Sequence, residues 1–455
     1  MDPVRQSASR SVRLARRHRL CCRLGRCAGL LILFTIGGHA ALCPVCGVHT
    51  PRGWIDAERW RVPDLTKPRV ANNGWDLYQR AALEVEAAAR TVAPPGDPPA
   101  RKGQRDAVLG PWTAAIDEAR MGIRPAADAT PILEASAAAL ELVHRAATAP
   151  CVSPSLPGAG PPPGQKAFPV LARLEAARVR YLHSQGRSTQ ALSAARDAYA
   201  MAINVPRHGS LDDFFVGNTC IAIIHPLARR VLGSGGLAAG DCLHHARAIR
   251  ALRTRKWPLG RAIQFEFHTC VAVASDLCGN GPETAAAPAG ARGAAGTLAG
   301  RPLPSPVRLL AWDPEESVRW LEDRLGRLVH AARPPYSSRS WARLCERTRQ
   351  DLAARGDWFA SAVLPPVESA RETDLAARAR LAIEETAAYL AAFRAEYGHY
   401  PAALARLAPE LTDALPDDPY TDEPLHYERT ADGYRLWSPG LDQYEAAKAA
   451  ERSRP

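Results

Sequence analysis

Asp417, Asp418, Asp422, Glu423 and Asp442 crowd into LPDDPYTDEPLHYERTADGYRLWSPGLD (415–442). Carboxylates are hard oxygen donors, and Asp418, Asp422 and Asp442 are the candidate ligands for a calcium ion. The competing reading makes Asp418 the cap of a turn before Pro419, with the other carboxylates solvated. CPVCG places Cys43 and Cys46 in a Cys-x-x-Cys knuckle, which is half of a zinc ribbon or a disulfide pair. No second knuckle of that spacing follows it. DCLHH sets Cys242 and His245 one helical turn apart, and His268 and Cys270 add further nitrogen and sulfur donors. Asp212, Asp213 and Glu266 are carboxylates of the type used in pairs for acid–base work, although Asp213 also stands at capping-box distance from Ser210. Glu266 is expected to pair with an arginine. P-loop, dinucleotide, HExxH and nucleophile-elbow patterns are absent. GSGG (233–236) reads as a helix-ending turn.

These residues sit on a chain of 455 residues with a formal charge of +11. The charge is local. Residues 1–26 hold eight arginines and one aspartate, a net +7, which leaves +4 for the remainder. A body so nearly balanced lacks the basic footprint of a nucleic-acid binder, so no nucleic-acid partner is expected. Arginine far outnumbers lysine, which fits GC-rich codon usage.

The basic block leads into the apolar run CAGLLILFTIGGHAAL (27–42). An arginine-rich segment before an apolar run reads as a secretory signal or anchor. The expectation is an uncleaved single-pass anchor, with a cytoplasmic N-terminus and the bulk of the chain extracytoplasmic. The membrane is then the first partner. Cysteines beyond the anchor would meet an oxidising compartment. Those in apolar helical stretches read as buried thiols.

Proline- and glycine-rich stretches at 92–103, 150–165 and 279–306 separate helical periodicity. The expected helices cover 75–91, 128–147, 169–185, 189–203, 210–232, 238–254, 258–277, 314–332 and 338–355, followed by a long helix over 372–397. Gly186 is the expected C-cap and Ser188 the expected N-cap of the hairpin between 169 and 203. Pro226 is placed to kink its helix. The long helix should bury the stripe Ile383, Ala387, Leu390, Phe393 and Tyr397 and end at Gly398. A short helix started by Pro401 should follow. PLHYER and GYRLWS alternate in the manner of strands, and Asp432-Gly433 between them signals a hairpin. The fold class is therefore mainly α: an antiparallel helical array with a small C-terminal α+β (helix plus β-hairpin) module. The organisation runs as basic n-region (1–26), anchor (27–42), juxtamembrane segment (43–69), helical body (70–278), low-complexity linker (279–306), further helices (307–370), α+β head (371–442) and tail (443–455).

The frame Gly-x-Tyr-Pro, Leu-x-x-Leu, Leu-Pro-x-Asp-Pro, Pro-Leu-x-Tyr and Gly-Tyr-x-Leu-x-Ser-x-Gly-x-Asp, from Phe393 to Asp442, resembles the C-terminal head of type II secretion G-type pseudopilins. NNGWDLYQRAA, LARLEAARVRYLHSQGR and GSLDDFFVGNTCIAIIHPLARRVL resemble a group of uncharacterised bacterial envelope proteins. The first resemblance implies a helix-plus-hairpin head with calcium as its cofactor, bound near the tail. The tail here, QYEAAKAAERSRP, lacks the DG and GG repeats that carry that site in the family. The second implies anchor, helical body and head in that order, with envelope proteins as partners. The resemblances imply architecture and no reaction; the reading taken for the whole chain is a non-enzymatic scaffold for protein–protein contact in the cell envelope. The alternative is a metal-dependent hydrolase with a site around His244, His245 and Glu266.

Overall fold

The computed structural model describes residues 72–92, 105–123, 125, 129–155, 162, 165–277, 312–333, 338–408 and 410–452. The basic segment, the apolar run 27–42, Cys43, Cys46 and the low-complexity stretch lie outside the described residues. No described helix is long and apolar enough to cross a membrane.

The chain is mainly helical with a small C-terminal strand module. The helices are α1 (Gly74–Val92), α2 (Arg105–Met121), α3 (Thr130–Ala135), α4 (Ala137–Thr148), α5 (Phe168–Ser184), α6 (Ser188–Asn204), α7 (Leu211–Gly233) and α8 (Ala239–Arg255). After them come α9 (Leu259–Leu277), α10 (Pro314–Ala331), α11 (Ser338–Arg355), α12 (Trp358–Val363), α13 (Val367–Tyr397) and α14 (Pro439–Arg452).

Two apolar clusters organise them. The larger gathers α1, α2, α4, α5, α6, most of α7, α8, the C-terminal two thirds of α13 and the strand module. The smaller gathers α9, α10, α11 and α12 with the first turns of α7 and α13. Those two helices are the spines shared by both clusters. The start of α7 is fixed by a capping box. Ser210 Oγ accepts from the Asp213 amide at 3.2 Å, and Asp213 Oδ2 accepts from the Ser210 amide at 2.9 Å. The helix continues through Pro226.

Gly217 lets α7 approach α6. A Cβ there would stand 2.4 Å from the Ala202 carbonyl oxygen and from Pro206 Cγ. Alanine is the better helix former by about 1 kcal/mol. Gly217→Ala is nonetheless expected to destabilise the fold by about 1–3 kcal/mol through overpacking. Urea unfolding of the variant measures this, and a gain in stability would show that the helices can part.

α13 departs from the one-sided stripe expected of it. Every residue from Ala379 to Phe393 is buried. The expected stripe holds for Ile383, Ala387, Leu390 and Phe393, but Tyr397 is 46 % exposed. Alanine on the remaining faces lets neighbours pack all round, which makes this a central helix rather than an amphipathic one. It begins at Val367, and Gly398 ends it at φ +76°.

Other boundaries differ for local reasons. The expected helix over 128–147 breaks at Ser136, whose hydroxyl donates to the Ile132 carbonyl at 2.7 Å. Gly186 takes the left-handed backbone expected of it, at φ +73°. Ser188 is the first residue of α6 rather than its cap, and its hydroxyl meets His183 Nδ1 at 3.1 Å. The helix expected from Pro401 is a single 3-10 turn, Leu404–Arg406.

Two antiparallel ladders form the strand module. β1 (Asp417–Asp418) pairs β2 (Glu423–Pro424), and β3 (His426–Arg429) pairs β4 (Tyr434–Trp437). The second is the expected hairpin, with Arg429 opposite Tyr434. Its loop is Thr430–Gly433, closed by the Thr430 amide donating to the Gly433 carbonyl at 3.0 Å. Asp432-Gly433 therefore sits in a four-residue loop and not in a two-residue turn. Leu425 and Leu436 face the core, and His426 and Glu428 face out. α14 packs back on α13, burying Leu441, with Arg380 reaching Glu445 at 3.0 Å.

Candidate functional site

The densest polar chemistry lies inside the helix core. α13 carries Glu384 and Glu385 side by side in an alanine-rich stretch, and consecutive helical residues point in different directions. Glu384 points between α7 and α8. Its Oε1 is 3.0 Å from His245 Nε2, and its Oε2 is 3.2 Å from His225 Nδ1. Tyr199 of α6 brings its hydroxyl to 3.4 Å from His225 Nδ1. Glu384 and His245 are fully buried. Burial alone would raise the Glu384 pKa, but the hydrogen bond with His245 and the close contact with His225 outweigh it and hold the carboxyl down at about 2. Burial lowers the His225 pKa, and the contact with Glu384 offsets only part of that.

Glu385 meets the C-terminal half of α8. It accepts from Arg250 Nε at 2.7 Å and Arg253 Nε at 2.9 Å, both on α8. Arg250 also donates to Thr412 Oγ1 at 2.5 Å and to the Ala414 carbonyl, and its guanidinium lies over the Tyr389 ring. One arginine thus ties α8, α13 and the loop before the strands. Asp374, further toward the start of α13, holds Lys256 at 2.5 Å and Arg378 at 2.9 Å. Burial pushes the Lys256 ammonium down to about 8, against the attraction of Asp374.

Two depressions open on this part of the surface. One of about 320 Å³ is lined by Arg247, Arg250, Tyr389 and residues 410–413. The other, of about 200 Å³, lies between the α7–α8 turn and the end of α13, beside Arg394. Neither is lined by His225, His245 or Glu384.

The residues singled out from the sequence are not gathered at one place. Asp418 is fully buried. Its Oδ1 accepts from the Tyr420 amide at 3.0 Å, and its carbonyl accepts from the Thr421 and Asp422 amides, so it does cap the turn between β1 and β2. Asp417, Asp422 and Glu423 are exposed around that turn, and Asp442 is exposed in the first turn of α14. Among the described residues, no group of three or more His, Cys, Asp or Glu is arranged to hold a metal ion. Cys242 is buried and its thiol is pushed up to about 11 by burial. Cys270 donates to the Val363 carbonyl at 3.6 Å. Both are plain core thiols, as expected of cysteines in apolar helices.

His244 is exposed while its neighbour His245 is bound to Glu384, so the two do not act together. Glu266 differs from expectation. In place of an arginine, it accepts from the Leu211 amide at 2.8 Å, at the open N-terminus of α7. Burial raises its pKa to about 7. Asp213 accepts from Ser155 Oγ and Gln165 Nε2, both at 2.6 Å, in addition to its cap.

His225, Glu384, Glu385 and Arg250 escaped the sequence reading. The available signal was a histidine inside the apolar run CIAIIHPLA and an acidic pair inside AIEETAAYLAA, each costly to bury unless partnered. The chain matches no family model, no curated protein and no solved structure.

Proposed function

We propose that the chain is a non-enzymatic scaffold, anchored in a bacterial cell membrane by residues 27–42, whose helical body and C-terminal strand module contact other proteins on the extracytoplasmic side. The observation that carries the non-enzymatic part is the internal use of reactive groups. The histidine–glutamate–histidine contact is shut in the core and lines neither surface depression. The arginines beside it are bound to Glu385. The anchor rests on the arginine-rich block followed by an apolar run. The place in the envelope rests on the resemblance of the C-terminal module to a secretion pseudopilin head, which is an argument from likeness. Hydrolysis around His244, His245 and Glu266 has less support, because those three serve separate roles in the fold.

Reporter fusions to the full chain test the topology. Alkaline phosphatase joined after Pro455 is expected to be active, and deletion of residues 1–42 is expected to abolish that activity. An inactive fusion to the full chain would overturn the placement. Photo-crosslinking groups at the exposed positions His426 and Glu428 test the contact role in cells. Discrete heavier bands are expected, and their absence there and at exposed positions of the body would remove it.

A further inference from the structure

The larger of the two surface depressions brings three elements together. α8 contributes Arg247 and Arg250, the loop before β1 contributes residues 410–413, and α13 contributes Tyr389. We propose that this depression binds a small zwitterion of amino-acid or dipeptide size, with its carboxylate on Arg247, its ammonium on Asp413 and a hydrogen bond to the Tyr389 hydroxyl.

Two of the four charged residues there are already used by the fold. Arg250 donates to Glu385 at 2.7 Å, to Thr412 at 2.5 Å and to the Ala414 carbonyl, which ties the loop to α8. Glu410 is paired with Arg406 at 3.2 Å. Arg247 and Asp413 are left over. Both are exposed, and among the described residues neither side chain has an ion pair or a hydrogen bond. Arg247 stands one helical turn before Arg250 and lines the same depression as Asp413, yet the two do not pair. Asp413 feels the attraction of Arg250 without meeting it as an ion pair. Tyr389 is 1 % exposed, and its ring lies 5.6 Å from the Arg250 guanidinium. Its hydroxyl has no hydrogen-bond partner among the described residues. A buried hydroxyl without a partner costs stability that phenylalanine would avoid. The fold gives this hydroxyl no acceptor, and a ligand in the depression would.

The signs decide the class of ligand. A plain anion would meet the carboxylates of Glu410 and Asp413, and a plain cation would meet two arginines. A molecule that carries both charges a few bonds apart satisfies each side. A guanidinium takes a carboxylate through two parallel N–H donors, which suits Arg247 to that end of the ligand. The volume of about 320 Å³ admits one or two small residues. Because Arg250 already holds the loop in place, binding has little left to order.

Ligand-observed NMR titration of the full chain near pH 7 tests the site, with L-alanine and L-alanyl-L-alanine as probes. A Kd of about 1 mM or tighter is expected for at least one of them, and the tighter of the two tells free amino acid from dipeptide. Acetylating the amine of that ligand, or amidating its carboxylate, should each weaken binding by about tenfold or more. Arg247→Gln and Asp413→Asn should do the same, and both positions are exposed, so the fold should stand. Tyr389→Phe should weaken binding by about 2–10-fold while the urea midpoint stays level or rises, whereas a tyrosine kept only for structure would lose stability. Three results overturn the proposal: no binding of either probe at about 10 mM, a blocked ligand that binds as well as the free one, or affinity unchanged in all three variants.

Discussion

Glu384→Leu is expected to lower the unfolding free energy by about 3–5 kcal/mol at pH 7. The substitution removes the acceptor that His245 Nε2 meets at 3.0 Å and His225 Nδ1 at 3.2 Å, in a place water does not reach. His245 Nε2 then buries a donor without a partner, at a cost of about 1–3 kcal/mol, and His225 Nδ1 keeps only the long contact with the Tyr199 hydroxyl at 3.4 Å, at a smaller cost. Leucine is close in size to glutamate, so most of the loss comes from these stranded donors rather than from a cavity. Glu384→Gln keeps one acceptor oxygen and should lose less. The triple variant with leucine also at 225 and 245 separates the causes. If stranded donors dominate, it recovers much of the loss, because whole buried polar sets are often replaceable by apolar ones. Urea unfolding of the three proteins gives the answer. A loss below about 1 kcal/mol for Glu384→Leu would mean that the contact contributes no more than an average hydrogen bond.

The layout of helices was legible because most of them obey amphipathic periodicity and standard end signals. Ser210 with Asp213, Gly186 and Gly398 behave as their residue types dictate. The β3–β4 hairpin was legible for the same reason, since strand alternation and a Gly-containing loop are local features. Local reading failed where tertiary contact decides. α13 buries its other faces along with the expected stripe, because its alanines accept neighbours on every side. α14 passed for a tail, although AAKAAER is a helix-forming run and Ser438 Oγ accepts from the Leu441 amide at its start. α2 and α12 were also passed over, the latter only one and a half turns long. The candidate site was the least legible. Acidic residues concentrate in 417–442, where they are mostly solvated around a turn. Glu384, His225 and His245 are spread over 160 residues, and only packing shows that they meet.

Glu175 provides the second large effect, and it has the opposite sign. This carboxyl on α5 is fully buried, and neither oxygen has a hydrogen-bond partner. Arg178 Nη1 is 3.6 Å away, too far to donate well, and Asp197 adds repulsion. Burial therefore dominates and raises the pKa from 4.5 to about 8. A group with a raised folded pKa binds its proton more tightly in the folded state. Its contribution is neutral below about pH 4.5, where both states are protonated, and turns increasingly unfavourable as the pH climbs toward 8. At pH 7 the cost of neutralising it on folding is about 3 kcal/mol. Glu175→Gln buries a side chain of the same shape and never pays that cost. The variant is expected to be more stable than wild type by about 3 kcal/mol at pH 7, and equal to it near pH 4. Glu266, raised to about 7 even with the Leu211 amide at 2.8 Å supporting its ionised form, is the companion case. Its glutamine variant should gain a similar amount, about 3 kcal/mol, at the same pH. Urea unfolding at pH 4, 5.5 and 7 reads both variants. A Glu175→Gln difference that stays constant across those values would show that the carboxyl keeps its charge in the fold, held by Arg178.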